Sequence, residues 1–198
     1  VTDAPVVPSD GLVFGEDDSP DVPPTVDLLV VCTGNAARSV MAGFMLEYLS
    51  EATGAGLRVV TAGTHVVEGQ PISQRTRAAV AAIDELAEVV TTRHRSRQLG
   101  RSELDRADLV IGMEADHVRF VRRQHPDAAH RTATLRRLCR DLPPGPAPLA
   151  GRVAALGLAD VALTDDEDVD DPAGHDQDVY DACAATLWTL CQELADRL

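Results

Sequence analysis

The chain has 198 residues, 44% of them hydrophobic, which suits one domain with a real core. Only 3% are aromatic, so Leu, Val, Ala and Ile must fill that core. No long apolar run occurs, so no spanning helix is expected, and the N-terminal stretch lacks the basic and apolar regions of a secretory signal, which points to a cytoplasmic protein.

The net charge of −14 is unevenly spread: residues 1–27 hold seven acids and residues 160–181 hold ten, neither with an Arg, which leaves the rest of the chain at +3. An anionic substrate would therefore meet a mildly basic body. There is no Arg stripe with interleaved aromatics, which argues against nucleic-acid binding. All 18 Lys and Arg positions are Arg, a trait of GC-rich bacterial coding rather than of function.

In chain order, residues 1–26 are rich in Pro and acids without periodicity and read as a disordered or draped tail. Asp27–Val31 is an apolar run typical of a strand buried on both faces. Met41, Phe44, Met45, Tyr48 and Leu49 recur at helical spacing from Ser39 to about Thr53, and Gly54 and Gly56 end that helix. Leu57–Ala62 reads as a second strand, residues 75–87 as a helix, Asp108–Met113 as a third strand followed by a helix from Ala115 to Arg123, and residues 131–135 as a short fourth strand. An anomalous Pro-rich and acidic insert runs from about 141 to 169, with a short helix near 148–158. The last helix spans about Gln177–Arg197. Strands alternating with helices predict an α/β fold of three layers, a central four-stranded parallel sheet with helices on both faces, binding ligands at the carboxyl ends of its strands.

The chemistry concentrates at Cys32-Thr33-Gly34-Asn35-Ala36-Ala37-Arg38-Ser39. The C-x5-R spacing alone is weak, since Cys191 and Arg197 share it inside an amphipathic helix. The first copy differs by lying between a buried strand and the start of a helix. There, successive N–H groups can curl into a nest for phosphate oxygens, reinforced by the helix N-terminus. Gly34 and Asn35 supply unusual backbone angles, and Arg38 offers a planar fork for two phosphate oxygens. The same field favours Cys32 as a thiolate nucleophile, and Ser39 can hydrogen-bond its sulfur. The other cysteines, at 139, 183 and 191, read as ordinary buried residues. No metal-binding pattern is present among the His and Cys residues, and no cofactor is implied.

These residues resemble the C-x-G-N-x-x-R-S signature of the low-molecular-weight protein-tyrosine-phosphatase family. Thr61-Ala62-Gly63-Thr64, His94-Arg95-Ser96-Arg97-Gln98-Leu99, Ala107–Met113 and Asp170-Asp171-Pro172 match further family segments in order. The resemblance implies a phosphatase domain over residues 27–198, hydrolysing a phosphorylated protein or small phosphomonoester through a phosphocysteine. It implies Cys32, Arg38 and Asp171 as the catalytic set, with Asp171 as general acid. Asn35, Ser39, Thr61 and His94 would form a network that stiffens the loop around its phosphate. Neighbouring Asp168, Asp170 and Asp176 are expected to favour the protonated form of Asp171.

The departures from the family bear on substrate and redox behaviour. Ala37 stands where many members have a second loop cysteine, so oxidised Cys32 is expected to lack a protecting disulfide. The cleft segments Ala173-Gly174-His175 and His65-Val66-Val67 offer no flat ring for a phenyl group unless Tyr180 or His65 serves. Thr33 resembles the residue beside the nucleophile in members that act on phosphoarginine. Beside tyrosine phosphatase, the alternatives are an arginine phosphatase, a thiol-coupled arsenate reductase and a non-catalytic phospho-binding regulator.

Overall fold

The computed structural model describes residues 25–89 and 91–198; the expected tail, apart from its last two residues, lies outside them. Four strands, β1 (Val26–Cys32), β2 (Leu57–Gly63), β3 (Leu109–Gly112) and β4 (Thr132–Thr134), form one all-parallel sheet in the order β2-β1-β3-β4. Seven helices are described: α1 (Arg38–Thr53), α2 (Gln74–Ala81), α3 (Arg101–Arg106), α4 (Ala115–Gln124), α5 (Leu135–Asp141), α6 (Leu149–Ala154) and α7 (Gln177–Ala195).

β1 is central, and its alternation builds two cores. Leu28, Val30 and Cys32 face a core shared with Met41 and Met45 of α1 and Leu187 and Leu194 of α7. Leu29 and Val31 face a smaller one with Leu104 of α3 and Val121 of α4. This two-sided burial is why β1 reads as a continuous apolar run. The chain leaves β1 for β2 on one side and later adds β3 on the other, so the loops diverge at the carboxyl end of β1 and open a crevice at Cys32.

One expectation from the sequence needs correction, and two features of the structure go beyond it. The helix expected over 75–87 ends at Ala81; Ile83 is extended and Asp84–Leu86 form a separate 3₁₀ turn. Asp84 and Glu85 would oppose the dipole at a helix C-terminus but suit the start of a new turn. Helices α3 and α5 were not anticipated, because six and seven residues are too few to show a helical period. The acidic run is also no free solvated loop. Glu167 is 1% exposed, accepts from Thr134 Oγ1 at 2.8 Å and from Arg137 Nε at 3.0 Å, and also pairs with Arg137 through its second oxygen. Arg122 and Arg152 tie other parts of the 143–163 segment down through its carbonyls.

Candidate active site

β1 delivers Cys32 to the crevice and α1 begins at Arg38, so the loop between them wraps the helix N-terminus. Among the described residues that terminus has no capping side chain, and its first turn holds no acid. Its N–H groups and positive dipole end are thus left to a ligand. A cavity of about 110 Å³ lies over it, bounded by Cys32, Gly34, Ala37, Arg38, Asp171 and Tyr180.

Asn35, not Gly34, carries the left-handed turn of the loop, with φ of 49°. Gly34 is not among the positive-φ residues, and a Cβ built on it meets nothing within 4 Å. Its lack of a side chain leaves space at the cavity instead of relieving the backbone. The strict glycine is Gly63, where a Cβ would come within 2.6 Å of the Thr33 carbonyl oxygen and 2.8 Å of the Asn35 nitrogen. This close approach seats the loop on the end of β2, through Thr64 N–H to Cys32 O and His65 N–H to Thr33 O, both at 2.9 Å.

The side chain of Asn35, fully buried, is the hub of the loop. Its Nδ2 donates to Ser39 Oγ at 3.1 Å and to Thr61 Oγ1 at 2.9 Å, and its Oδ1 accepts from Arg97 N–H at 3.0 Å. His94 Nε2 donates to the Asn35 carbonyl at 3.0 Å, which fixes the tautomer of that ring. Partial burial, with Arg97 and Arg95 nearby, holds His94 below the usual histidine pKa although the Asn35 hydrogen bond opposes the shift. Ser39 Oγ, already accepting from Asn35, lies 3.0 Å from Cys32 Sγ, so its own proton is free to point at the sulfur. The structure thus brings Cys32, Asn35, Ser39, Thr61 and His94 into one connected network.

Arg38 is 2% exposed and held from the other side. It donates to Asp171 Oδ2 at 2.6 Å and to the Val169 carbonyl at 2.9 Å, and forms an ion pair with Glu114. The acidic strap, residues 165–171, is therefore what carries Asp171 to the cavity. Val169 N–H bonds Met113 O at 2.8 Å, and Asp168 Oδ1 accepts from Ala115 N–H at the start of α4 at 2.7 Å. Of the acids flanking Asp171, Asp168 accepts from the start of α4 and Asp176 pairs loosely with Arg75 at 3.8 Å. Asp171 itself is held by the Arg38 guanidinium on Oδ2 and by the Ala173 N–H on Oδ1 at 3.0 Å.

Glu114 and His117 are the residues that the sequence did not reveal. His117 Nδ1 accepts from Glu114 N–H at 3.0 Å, so its proton sits on Nε2, which lies 3.0 Å from Thr33 Oγ1. Desolvation first, and then the Arg38 charge, push this histidine down to about 3, so it is neutral throughout the working range of pH. The only hint in the sequence was the spacing Glu-x-x-His at the start of a helix. A second cavity of about 270 Å³, lined by Thr33, His65, Glu114, Asp116, His117 and Phe120 among others, opens beside the loop. His65 packs edge-on against Phe120 with centroids 5.8 Å apart, which supplies rings that the segments around Asp171 lack.

The remaining cysteines are held as thiols: burial pushes Cys139 and Cys183 up to about 12 and raises Cys191 as well. Cys183 is near enough to feel the charge of Cys32, yet its Sγ is directed at the Asp170 carbonyl, 3.6 Å away.

Comparison with known proteins agrees with this geometry. Residues 27–143 match the family model described as low molecular weight phosphotyrosine protein phosphatase. A protein-arginine-phosphatase of Geobacillus stearothermophilus is 29% identical over 171 residues, 86% of this chain and 95% of that protein. A low molecular weight protein-tyrosine-phosphatase of Streptomyces coelicolor is 35% identical over 133 residues, 61% of this chain and 71% of that one. The solved low molecular weight protein tyrosine phosphatase from T. tengcongensis superposes with a TM-score of 0.70 at 26% identity, covering 87% of this chain and 99% of that structure. Among the described residues no helix is long and apolar enough to cross a membrane. With its four-stranded parallel sheet and its Cys-x5-Arg loop at the carboxyl end of β1, the chain belongs to the low molecular weight phosphotyrosine protein phosphatase family of cysteine-dependent phosphatases.

Proposed function

We propose that residues 27–198 form a cytoplasmic protein phosphatase domain in which Cys32, Arg38 and Asp171 carry out the reaction. The observation that carries this reading is the convergence of the Cys32 sulfur, the Arg38 guanidinium and the Asp171 carboxylate on one cavity at an uncapped helix N-terminus. A phosphate seated there takes the loop N–H groups of Thr33–Ser39 as donors and competes with Asp171 for Arg38. Freed from Arg38 and carrying a proton taken from water, Asp171 faces the leaving group. The Cys32 sulfur attacks phosphorus, the bond to the leaving atom breaks, and that atom takes the Asp171 proton. Asp171 then accepts a proton from water as its oxygen attacks the phosphocysteine, and the sulfur departs towards the Ser39 hydroxyl.

The test is turnover of para-nitrophenyl phosphate between pH 5 and 7. Cys32→Ser is expected to lower it by about three orders of magnitude or more, and Asp171→Ala by about a hundredfold with a poor leaving group such as phenyl phosphate. Absence of turnover by folded wild-type protein, with phosphate analogues still binding, would move the reading to a phospho-binding regulator. An arsenate reductase would need a thiol relay, and Cys139, Cys183 and Cys191, all buried and raised in pKa, do not support one.

For the substrate, tyrosine phosphate is the reading by family. Phosphoarginine is a second reading, favoured by the exposed Thr33 beside the nucleophile, by Ala173 and Gly174 in place of rings after Asp171-Pro172, and by the likeness to a protein-arginine-phosphatase along nearly its whole length.

A further inference from the structure

We propose that the acidic stretch of residues 16–21, which precedes β1, docks in a track of arginines running from the first residues of β1, past β2, to the side of the phosphate loop held by Asn35.

Two cavities make up the track. The larger, about 560 Å³, is lined by Arg93, Arg95 and Arg97 together with Thr61 and His94, the two side chains that bond Asn35. The smaller, about 280 Å³, is lined by Arg58, Arg97 and Arg106 together with Asp27 at the start of β1. Val60 and Arg97 border both, so the two cavities adjoin. Among the described residues, the exposed side chains of Arg93, Arg97 and Arg106 make no ion pair, and Arg95 donates to the backbone carbonyls of Thr92 and His94. Of the acids that border the track, Asp27 is paired with Arg58, Glu103 accepts from Ser102, and Glu47 lines the larger cavity. The field of these arginines already acts on His94, where burial first, and then the Arg97 and Arg95 charges, hold the ring below the ordinary histidine pKa. Cations gathered in this way favour an anionic occupant.

The place where the chain enters the sheet selects that occupant. β1 begins at Val26, and Asp27 lines the smaller cavity, so the chain joins the sheet beside the track. Residues 16–21 read Glu16-Asp17-Asp18-Ser19-Pro20-Asp21, and residues 1–24 contain no Arg or Lys. Asp21 and Glu16 stand five and ten residues before Val26. Extended chain of those lengths reaches up to ~17 and ~33 Å. β1 itself, with seven residues, is about 23 Å long. Its last residue, Cys32, pairs with Gly63, whose N–H bonds the Arg97 carbonyl at 3.0 Å. The acids can therefore reach the arginines of both cavities. Tethering gives them a local concentration on the order of millimolar, which favours them over a free anion.

The experiment follows the full chain by nitrogen NMR, comparing wild type with E16Q/D17N/D18N/D21N and with R93Q/R97Q. Neutralising the acids is expected to shift the Nε–Hε signals of Arg93, Arg97 and Arg106, and R93Q/R97Q to shift the backbone amides of residues 16–21. About 0.5 M sodium chloride should produce both changes in wild type, since it shortens the screening length to about 4 Å. With the acids neutralised, inorganic phosphate should move the Arg93 and Arg106 signals at a concentration at least about fivefold lower than in wild type. Arginine signals indifferent to the acids, amides of residues 16–21 indifferent to the arginines, or equal phosphate affinity in the two proteins would overturn the proposal. So would shifts that grow with protein concentration, which would make the segment of a second copy the occupant. Should R93Q/R97Q not fold, R106Q takes its place, with the same shift expected at residues 16–21.

Discussion

The two walls of the site are built by different physics. On the β2 side the phosphate loop is held by neutral hydrogen bonds converging on Asn35, from Arg97 N–H and His94 and onto Ser39 and Thr61. On the β3 side the acidic strap is held by charge: Glu167 on Arg137, and Asp171 and Glu114 on Arg38. Neutral hydrogen bonds are directional and are not displaced by an incoming anion, so they suit the wall that must keep the nucleophile in place. Ion pairs to Arg38 are of the kind that a phosphate dianion replaces, so they suit the wall that must exchange partners when substrate arrives. The contrast assigns rigidity to one side and ligand response to the other.

The largest effect that would break this comparison comes from the strap. Glu167→Ala leaves Arg137 buried without its main counter-charge and is expected to cost about 3–5 kcal/mol of stability by chemical denaturation. The same substitution should raise amide exchange at Val169–Asp171 while leaving that at Asn35 unchanged. Exchange rising equally on both walls would show them to be one unit.

Asn35→Ala comes next. It removes the donors to Ser39 and Thr61 and puts a side chain without local hydrogen bonding at a φ of 49°. A loss of about 2–3 kcal/mol is expected, together with weaker phosphate binding, read by calorimetry. Full retention of phosphate affinity would deny the hub its part in the site.

A smaller effect separates the two walls by pH. His117 and His94 both have folded-state pKa values below the ordinary histidine value of 6.5, so the unfolded chain takes up protons first as pH falls. Their contribution to stability is complete above pH 6.5 and is lost on acidification from there, for His117 down to about 3. Between pH 6.5 and 5 wild type should therefore lose about 2 kcal/mol more than H117Q, at about 1.4 kcal/mol per pH unit. Parallel stability profiles for the two proteins would refute the buried, neutral state of His117.

The α/β class and the central strands are legible from the residues alone, because β1 and β3 are buried on both faces and their apolar runs need no partner to be recognised. So is the loop from Cys32 to Ser39, since a Cys-x5-Arg spacing between strand and helix is a local property of the chain. The network of Thr61 and His94 around Asn35 entered through family resemblance, and the structure supplied its geometry. The rest of the site joins chain segments far apart in sequence: Glu114 and His117 reach the loop because β3 pairs beside β1, and Asp171 reaches Arg38 from a segment anchored by Glu167 on Arg137. The left-handed turn fell to Asn35 and not to Gly34 for the same reason, since three tertiary hydrogen bonds to its side chain and carbonyl hold it there. A local pattern can state which residues are able to adopt a conformation; the contacts that stabilise one choice come from the packed sheet.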